Sequence, residues 1–391
     1  MRPTLAFFGS SLVSAYWNGA ATYYRGILRA LDTRGWRATF FEPDAFGRQA
    51  HRDIPDPSWA RVLVYQPTPD GLQRALDEAA SADVLVKASG VGVFDAELEA
   101  ALPAMRRPGQ ICLFWDVDAP ATLERLDRTP DDPLRARIPS FDLVLTYGGG
   151  PPVVALYRAL GARDCVPIYN ALDPDTHHPV PPHDAYRADL AFLGNRLPDR
   201  EERVREFFLS AAAARPARSF LLGGNGWHPD DVPPNVTVLG HVPTAAHNTF
   251  NCSPLAVLNI NRSSMARIGF SPATRVFEAA GAGACLVTDA FEGVEAFLSP
   301  GEEILVADSG ADVIGLLDAL TPERARAIGR AARARVLAAH TYEHRVVQLE
   351  RVLDAALTGS PRCSQRSASS FSASPSRPRG ETATPRRTAA S

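Results

Sequence analysis

Lysine is nearly missing from this sequence: Lys87 is the single lysine among 41 basic residues, and the others are arginine. A Schiff-base cofactor or a phosphate-loop lysine would therefore have to be Lys87, and no GxxxxGK surrounds it, which excludes pyridoxal-phosphate and P-loop chemistry. Cysteine is sparse and odd in number, with five residues at Cys112, Cys165, Cys252, Cys285 and Cys363. None forms a CxxC pair, so neither a disulfide framework nor a zinc knuckle is expected, and a reducing cytoplasm is. No run of about eighteen apolar residues offers a membrane span. The opening MRPTLAFFGSSLVS has too short an apolar run before Gly9 and Ser10 for a secretory signal, so the NVT at 235 is not expected to carry a glycan. A formal charge of −3 gives no global attraction for nucleic acid or an anionic membrane, although peripheral membrane contact stays compatible with it. Any anion site must be local, and the expected partner is a small molecule.

What is present is alternation. The 391 residues suit two domains and an appendage. Apolar runs bounded by turn residues predict buried parallel strands at Leu5 to Phe8, Arg61 to Tyr65, Asp83 to Lys87, Ile111 to Trp115 and Leu143 to Tyr147. Helical periodicity fills Thr22 to Leu31, Gly71 to Ala80 and Asp95 to Leu102, which together predict a doubly wound α/β sheet over 1–169. The proline- and histidine-rich 170–186 reads as a linker. A second series over 187–340 predicts strands at Leu190 to Leu193, Ser219 to Leu222, Thr237 to Leu239, Ala256 to Ile260, Cys285 to Thr288 and Ile304 to Val306. An arginine-rich helix spans Pro322 to Ala339. Val346, Leu349, Val352 and Leu353 then share one face of a last helix, 341–358, expected to bridge back to the first domain. From 359 to 391 Ser, Arg, Pro and Ala dominate, which predicts a disordered tail.

One stretch carries chemistry. In "GFSPATRVFEAAGAGACLVTD", residues 269 to 289, Ser271 before Pro272 predicts a helix start with the serine oxygen as cap, running to about Ala280. Thr274, Arg275 and Glu278 fall on one face, with Val276, Phe277 and Ala280 opposite. A helix N-terminus beside an arginine suits a diphosphate. An acceptor-only carboxylate nearly two turns on suits a pair of ribose hydroxyls. An ordinary surface pair between Arg275 and Glu278 fits the same pattern.

The stretch "SPATRVFEAAGAGACLVTD" resembles the C-terminal domain of GT-B glycosyltransferases, in particular the group that includes the spore maturation protein CgeB and related family 1 enzymes. The resemblance extends upstream through "DLAFLGNRLPDR" (189 to 200), "LLGGNGWHP" (221 to 229), "NVTVLGHVP" (235 to 243) and "VLNINRSS" (257 to 264), in that family's order, and more faintly into the first domain. It implies two Rossmann-like domains facing across a cleft, a nucleotide-sugar donor held mainly by the second and an acceptor mainly by the first. It also implies Glu278 on the ribose, the Ser271, Ala273 and Thr274 amides with Arg275 near the diphosphate, Arg196 and Arg262 as phosphate clamps, and Gly240 and His241 beside the nucleobase. Many retaining relatives place a second glutamate eight positions before the one at Glu278. Here Phe270 stands there, which leaves donor sugar and stereochemistry open.

In the first domain Gly9 follows a strand, and Asn18 and Gly19 open a helix; the spacing is not GxGxxG. The comparable GT-B loop lies over the cleft, so Gly9 and Gly19 are expected near the donor, a routine strand-to-helix turn being the other reading. In "LFWDVDAP", Asp116 and Asp118 end a strand at the edge where such sheets bind ligands, and either could take an acceptor hydroxyl's proton or cap the next helix. Arg275 joins them as a charge-stabilising group, since the leaving group is a nucleoside diphosphate. His177 and His178 are adjacent and lack a companion at ligand spacing, so no metal is expected. No cofactor is expected beyond the donor as substrate. The expectation is a metal-independent, cytoplasmic glycosyltransferase acting on a saccharide, lipid-linked or protein acceptor. A non-catalytic nucleotide-sugar binding protein and a nucleotide-sugar epimerase are the alternatives.

Overall fold

The structure, a computed structural model, describes residues 3–16 and 18–358; the tail expected to be disordered lies outside the described residues. Among the described residues thirteen strands form two sheets, each wholly parallel. The first contains β1 (Thr4–Phe8), β2 (Arg37–Pro43), β3 (Arg61–Tyr65), β4 (Val84–Ala88), β5 (Ile111–Asp116), β6 (Leu143–Thr146) and β7 (Cys165–Pro167), in the order β3-β2-β1-β4-β5-β6-β7. The second contains β8 (Leu190–Leu193), β9 (Phe220–Gly223), β10 (Val236–Gly240), β11 (Ala256–Asn259), β12 (Leu286–Asp289) and β13 (Leu305–Ala307), in the order β10-β9-β8-β11-β12-β13. The doubly wound expectation holds for both halves. β2 and β7 have no counterpart among the expected strands: β2 reads RATFFEP, with charge and proline at its ends, and β7 is three residues long.

The two-residue period of each strand builds the layers. Leu5, Phe7, Val84, Val86, Leu113 and Trp115 join the core on one face of the first sheet. Ala6, Phe8, Leu85 and Phe114, offset by one, join the core on the other. In the second sheet Leu190, Phe192, Leu222 and Leu258 face one core, while Ala191, Leu193 and Leu221 face another. A parallel sheet needs helices on both faces, and strands such as VLVKA and ICLFWD, buried at every residue, follow from that.

The helix Tyr342–Thr358 returns to the first sheet. Tyr342, Val346, Leu349 and Leu353 join the same core as Ile27, Leu31 and Trp36. Burying each of these aliphatic side chains is worth about 1.5–3 kcal/mol, so apolar contact, more than the Arg34–Glu350 surface pair, docks the helix. Gly26 permits the approach, because a Cβ there would lie 2.2 Å from the Tyr342 ring. The chain's two passages between the sheets lie side by side and are joined by a parallel bridge between Leu172 and Thr341.

In each sheet the strand order reverses direction next to the first strand, between β1 and β4 and between β8 and β11. Such a reversal opens a crevice at the carboxyl ends of the strands, where ligands bind in open α/β sheets.

Candidate functional site

The two crevices face one another across a single cleft of about 680 Å³. Ser10, Ser89 and Gly90 border it beyond β1 and β4, and Asn259 ends β11 on the opposite wall.

Three arginines from the second domain reach the cleft: Arg200 from the helix Pro198–Val204, Arg262 from the segment after β11, and Arg275 from the helix Thr274–Gly281. The guanidinium groups of Arg200 and Arg275 sit 5.5 and 5.6 Å from the Phe192 ring centroid. Burial pushes both down to about 10; Arg275 and Arg262 add to the effect at Arg200, and Glu278 opposes it at Arg275. Among the described residues neither makes an ion pair within 4 Å. Arg200 donates from Nη2 to the Asn195 carbonyl at 2.6 Å, and among the described residues its buried Nε has no hydrogen-bond partner. Desolvated cations without counter-charge are costly, and an anion between them removes the cost.

The helix carrying Arg275 starts later than Ser271 and Pro272 predict. Its N-cap is Ala273, extended and without a side-chain cap, and the first helical residue is Thr274. Ser271 is 2 % exposed, and among the described residues its hydroxyl has no hydrogen-bond partner. The segment is held straight by its neighbours, since Gly149 donates to the Phe270 carbonyl at 2.8 Å and Asn170 to the Pro272 carbonyl at 3.5 Å. Ser271 is thus a spacer below the cleft wall, and the free end of the helix is displaced to Ala273, Thr274 and Arg275, which do line it. Glu278 lines it one turn on. Phe270 takes a left-handed φ of 45°, with its ring wedged against Gly293, whose added Cβ would lie 2.2 Å from it. It does not reach the cleft, so the position of the missing glutamate is filled by packing.

The first domain supplies Asp118, and not Asp116. Asp116 is completely buried; its Oδ1 accepts from the hydroxyls of Ser89 at 2.7 Å and Thr122 at 3.0 Å and from the Asp118 amide at 3.0 Å, and its Oδ2 accepts from the Tyr157 hydroxyl. A carboxylate so enclosed ties strand to helix and cannot meet a substrate, which corrects its expected catalytic role. Asp118 lines the cleft and, among the described residues, caps no amide of the following helix and has a buried Oδ1 without a hydrogen-bond partner. Burial raises its carboxyl above the usual range against the pull of Arg262. Arg262 donates to Asp118 at 2.6 Å and to Asp199 at 3.1 Å, and so spans the two domains.

Other expected residues lie elsewhere. The Arg196 guanidinium is taken by Glu201 and Asp231, both at 2.7 Å, and lies over Trp227, a core residue. Gly9 does not line the cleft; its amide donates to Phe41 and an added Cβ would lie 2.4 Å from Phe40, so close packing accounts for it. Gly19 does line the cleft. Gly240 ends β10, the edge strand, and His241 follows it, both outside the lining; the Gly240 carbonyl accepts from Gly224. His177 does have companions: its ligand atoms lie within 4.8 Å of those of His247 and Glu278. Lys87 is fully buried against Asp95 at 2.6 Å and Glu99 at 3.5 Å. Arg200, Asp95 and Glu99 are cleft residues that sequence reasoning passed over; for Arg200 the available signal was Pro198–Asp199, a helix opening inside an already quoted stretch.

This architecture is that of GT-B proteins. Residues 200–351 match the family model described as glycosyl transferase-like. Among solved structures, sucrose-phosphate synthase from Thermosynechococcus elongatus superposes with a TM-score of 0.67 at 16% identity, over 92% of this chain and 100% of that one. HepE from Anabaena, solved with UDP and glucose, gives 0.63 at 13% identity, over 90% and 100%. An alpha-glucosyltransferase solved with UDP-glucose and DNA containing an abasic site gives 0.65 at 11% identity, over 90% and 99%. No curated protein matches the sequence. Among the described residues no helix is long and apolar enough to cross a membrane.

Proposed function

We propose that this protein is a cytoplasmic glycosyltransferase of the CgeB-like group that moves a sugar from a nucleoside-diphosphate donor to a saccharide, lipid-linked or protein acceptor, without a metal on the diphosphate. The observation that carries the reading is the pair of desolvated, unpaired arginines, Arg200 and Arg275, beside the free amides of Ala273, Thr274 and Arg275. As the sugar–oxygen bond breaks, negative charge accumulates on the leaving diphosphate, and donors fixed in advance at that point lower the barrier without reorganising. Arg262 supports the same charge. Glu278 accepts from the ribose hydroxyls, and Asp118, opposite, takes the acceptor's proton. HepE was solved with UDP and glucose and the alpha-glucosyltransferase with UDP-glucose, which makes a uridine diphosphate sugar the first donor to try.

The test is a thermal-shift and transfer screen over UDP-, GDP-, TDP- and ADP-sugars. One donor should raise the melting temperature by mass action and release its diphosphate with an acceptor. Melting temperatures indifferent to every donor would sink the reading. Phe270 supports a second one, a protein that binds donors without transferring the sugar; it predicts a melting shift with no turnover on any acceptor.

A further inference from the structure

The Pro- and His-rich passage between the sheets delivers His177 into the wall behind the cleft. The ring is 2 % exposed, and among the described residues neither of its nitrogens has a hydrogen-bond partner. Its Nε2 lies 3.7 Å from Oε1 of Glu278, and His247 completes a set whose ligand atoms all fall within 4.8 Å of one another. His247 Nε2 lies 3.3 Å from the Val242 carbonyl; donating there leaves Nδ1 with the lone pair, the arrangement by which a carbonyl orients a metal-binding imidazole.

We propose that His177, His247 and Glu278 form a binding site for a borderline-soft divalent cation of the zinc class, and that this cation and the nucleotide compete for Glu278. Two imidazoles and one carboxylate are a recurrent zinc donor set, and ligand atoms about 3.4 Å apart complete a tetrahedron at zinc distances. The His177–Glu278 contact, at 3.7 Å, is already near that value. Arg275 opposes the cation and Glu278 favours it, so the site suits an ion drawn by imidazole over one drawn by oxygen alone. The competition rests on the proposed ribose contact of Glu278; the cation site does not.

Full-length protein stripped with a chelator and titrated calorimetrically with zinc chloride should take up one equivalent. His247→Gln and His177→Gln, each checked for folding by thermal melting, should weaken uptake at least about tenfold, and Cys252→Ser should leave it unchanged. No stoichiometric uptake, or equal uptake by the double histidine variant, overturns the site. The unaltered protein loaded with cobalt(II) provides a measure that needs no variant: visible ligand-field bands without a thiolate charge-transfer band support the assignment, and a thiolate band places the ion on a cysteine and overturns it. One equivalent of zinc should then raise the Kd for UDP at least about tenfold. Zinc uptake that leaves UDP binding untouched keeps the cation site and removes the ribose role of Glu278. Failure of the metal-free protein to bind any nucleotide removes the donor reading alone.

Discussion

On the first domain's side the cleft presents Asp95, Glu99 and Asp118 with Arg125 as its cation, whereas the second domain presents Arg200, Arg262 and Arg275 with Glu278 as its carboxylate. The strand orders behind these walls are the same apart from one extra edge strand. The difference therefore lies in what each strand and helix carries at its carboxyl-end edge, not in the topology: a fold supplies the place and its loops supply the chemistry. An acidic wall facing a basic one suits a reaction in which a hydroxyl loses a proton on one side while a diphosphate gains charge on the other.

The sharpest way to break this comparison is Asp118→Asn. Loss of a general base costs about 10²–10⁴-fold, so kcat/KM should fall by that order with donor binding retained; undiminished transfer would remove Asp118 from the chemistry. The profile with pH has a definite sign. Asp118 accepts a proton only when ionised, and burial raises its carboxyl, so kcat/KM should climb through a pH above the usual carboxylate range and lose that limb in the variant. Arg275→Ala and Glu278→Ala act on the opposite wall. Removing a preorganised charge-stabilising donor costs about 10²–10³-fold, and Arg275→Ala should show this with the melting temperature unchanged; Glu278→Ala should weaken donor binding severely. Asp116→Asn should register in stability instead: leaving its buried donors mismatched costs about 1–3 kcal/mol, measured by denaturant unfolding. The smallest effect is expected from Arg196→Ala, which should leave the donor KM unchanged while Arg200→Ala raises it; the reverse result would exchange the two arginines.

That last contrast marks where the sequence stops being informative. All six strands of the second sheet, and the face shared by Thr274, Arg275 and Glu278, follow from periodicity, because burial on one side is written into residue spacing. Arg196 and Arg200 are four apart, and nothing local says which one is drawn off by Asp231, a residue distant in sequence. Asp116 and Asp118 have the same parity at the end of β5; one is taken by Ser89, Thr122 and Tyr157 from three other segments, and the other is left facing the cleft. Ser271 and Pro272 have the composition of a cap, but the contacts of Gly149 from the first domain and of Asn170 from the passage between the sheets keep the segment out of the helix. His177 and His247 are separated by seventy positions, beyond any spacing rule, and only folding makes them neighbours.

The bridge between Leu172 and Thr341 has a mechanical consequence. Because the chain's two passages run together along one line, the lobes share a spine, like the covers of a book, an arrangement that favours swinging about it over sliding. A substrate gripped between them would be squeezed along a fixed arc, and Arg262, reaching from one cover to Asp118 on the other, is the latch that such a movement would have to release or re-form.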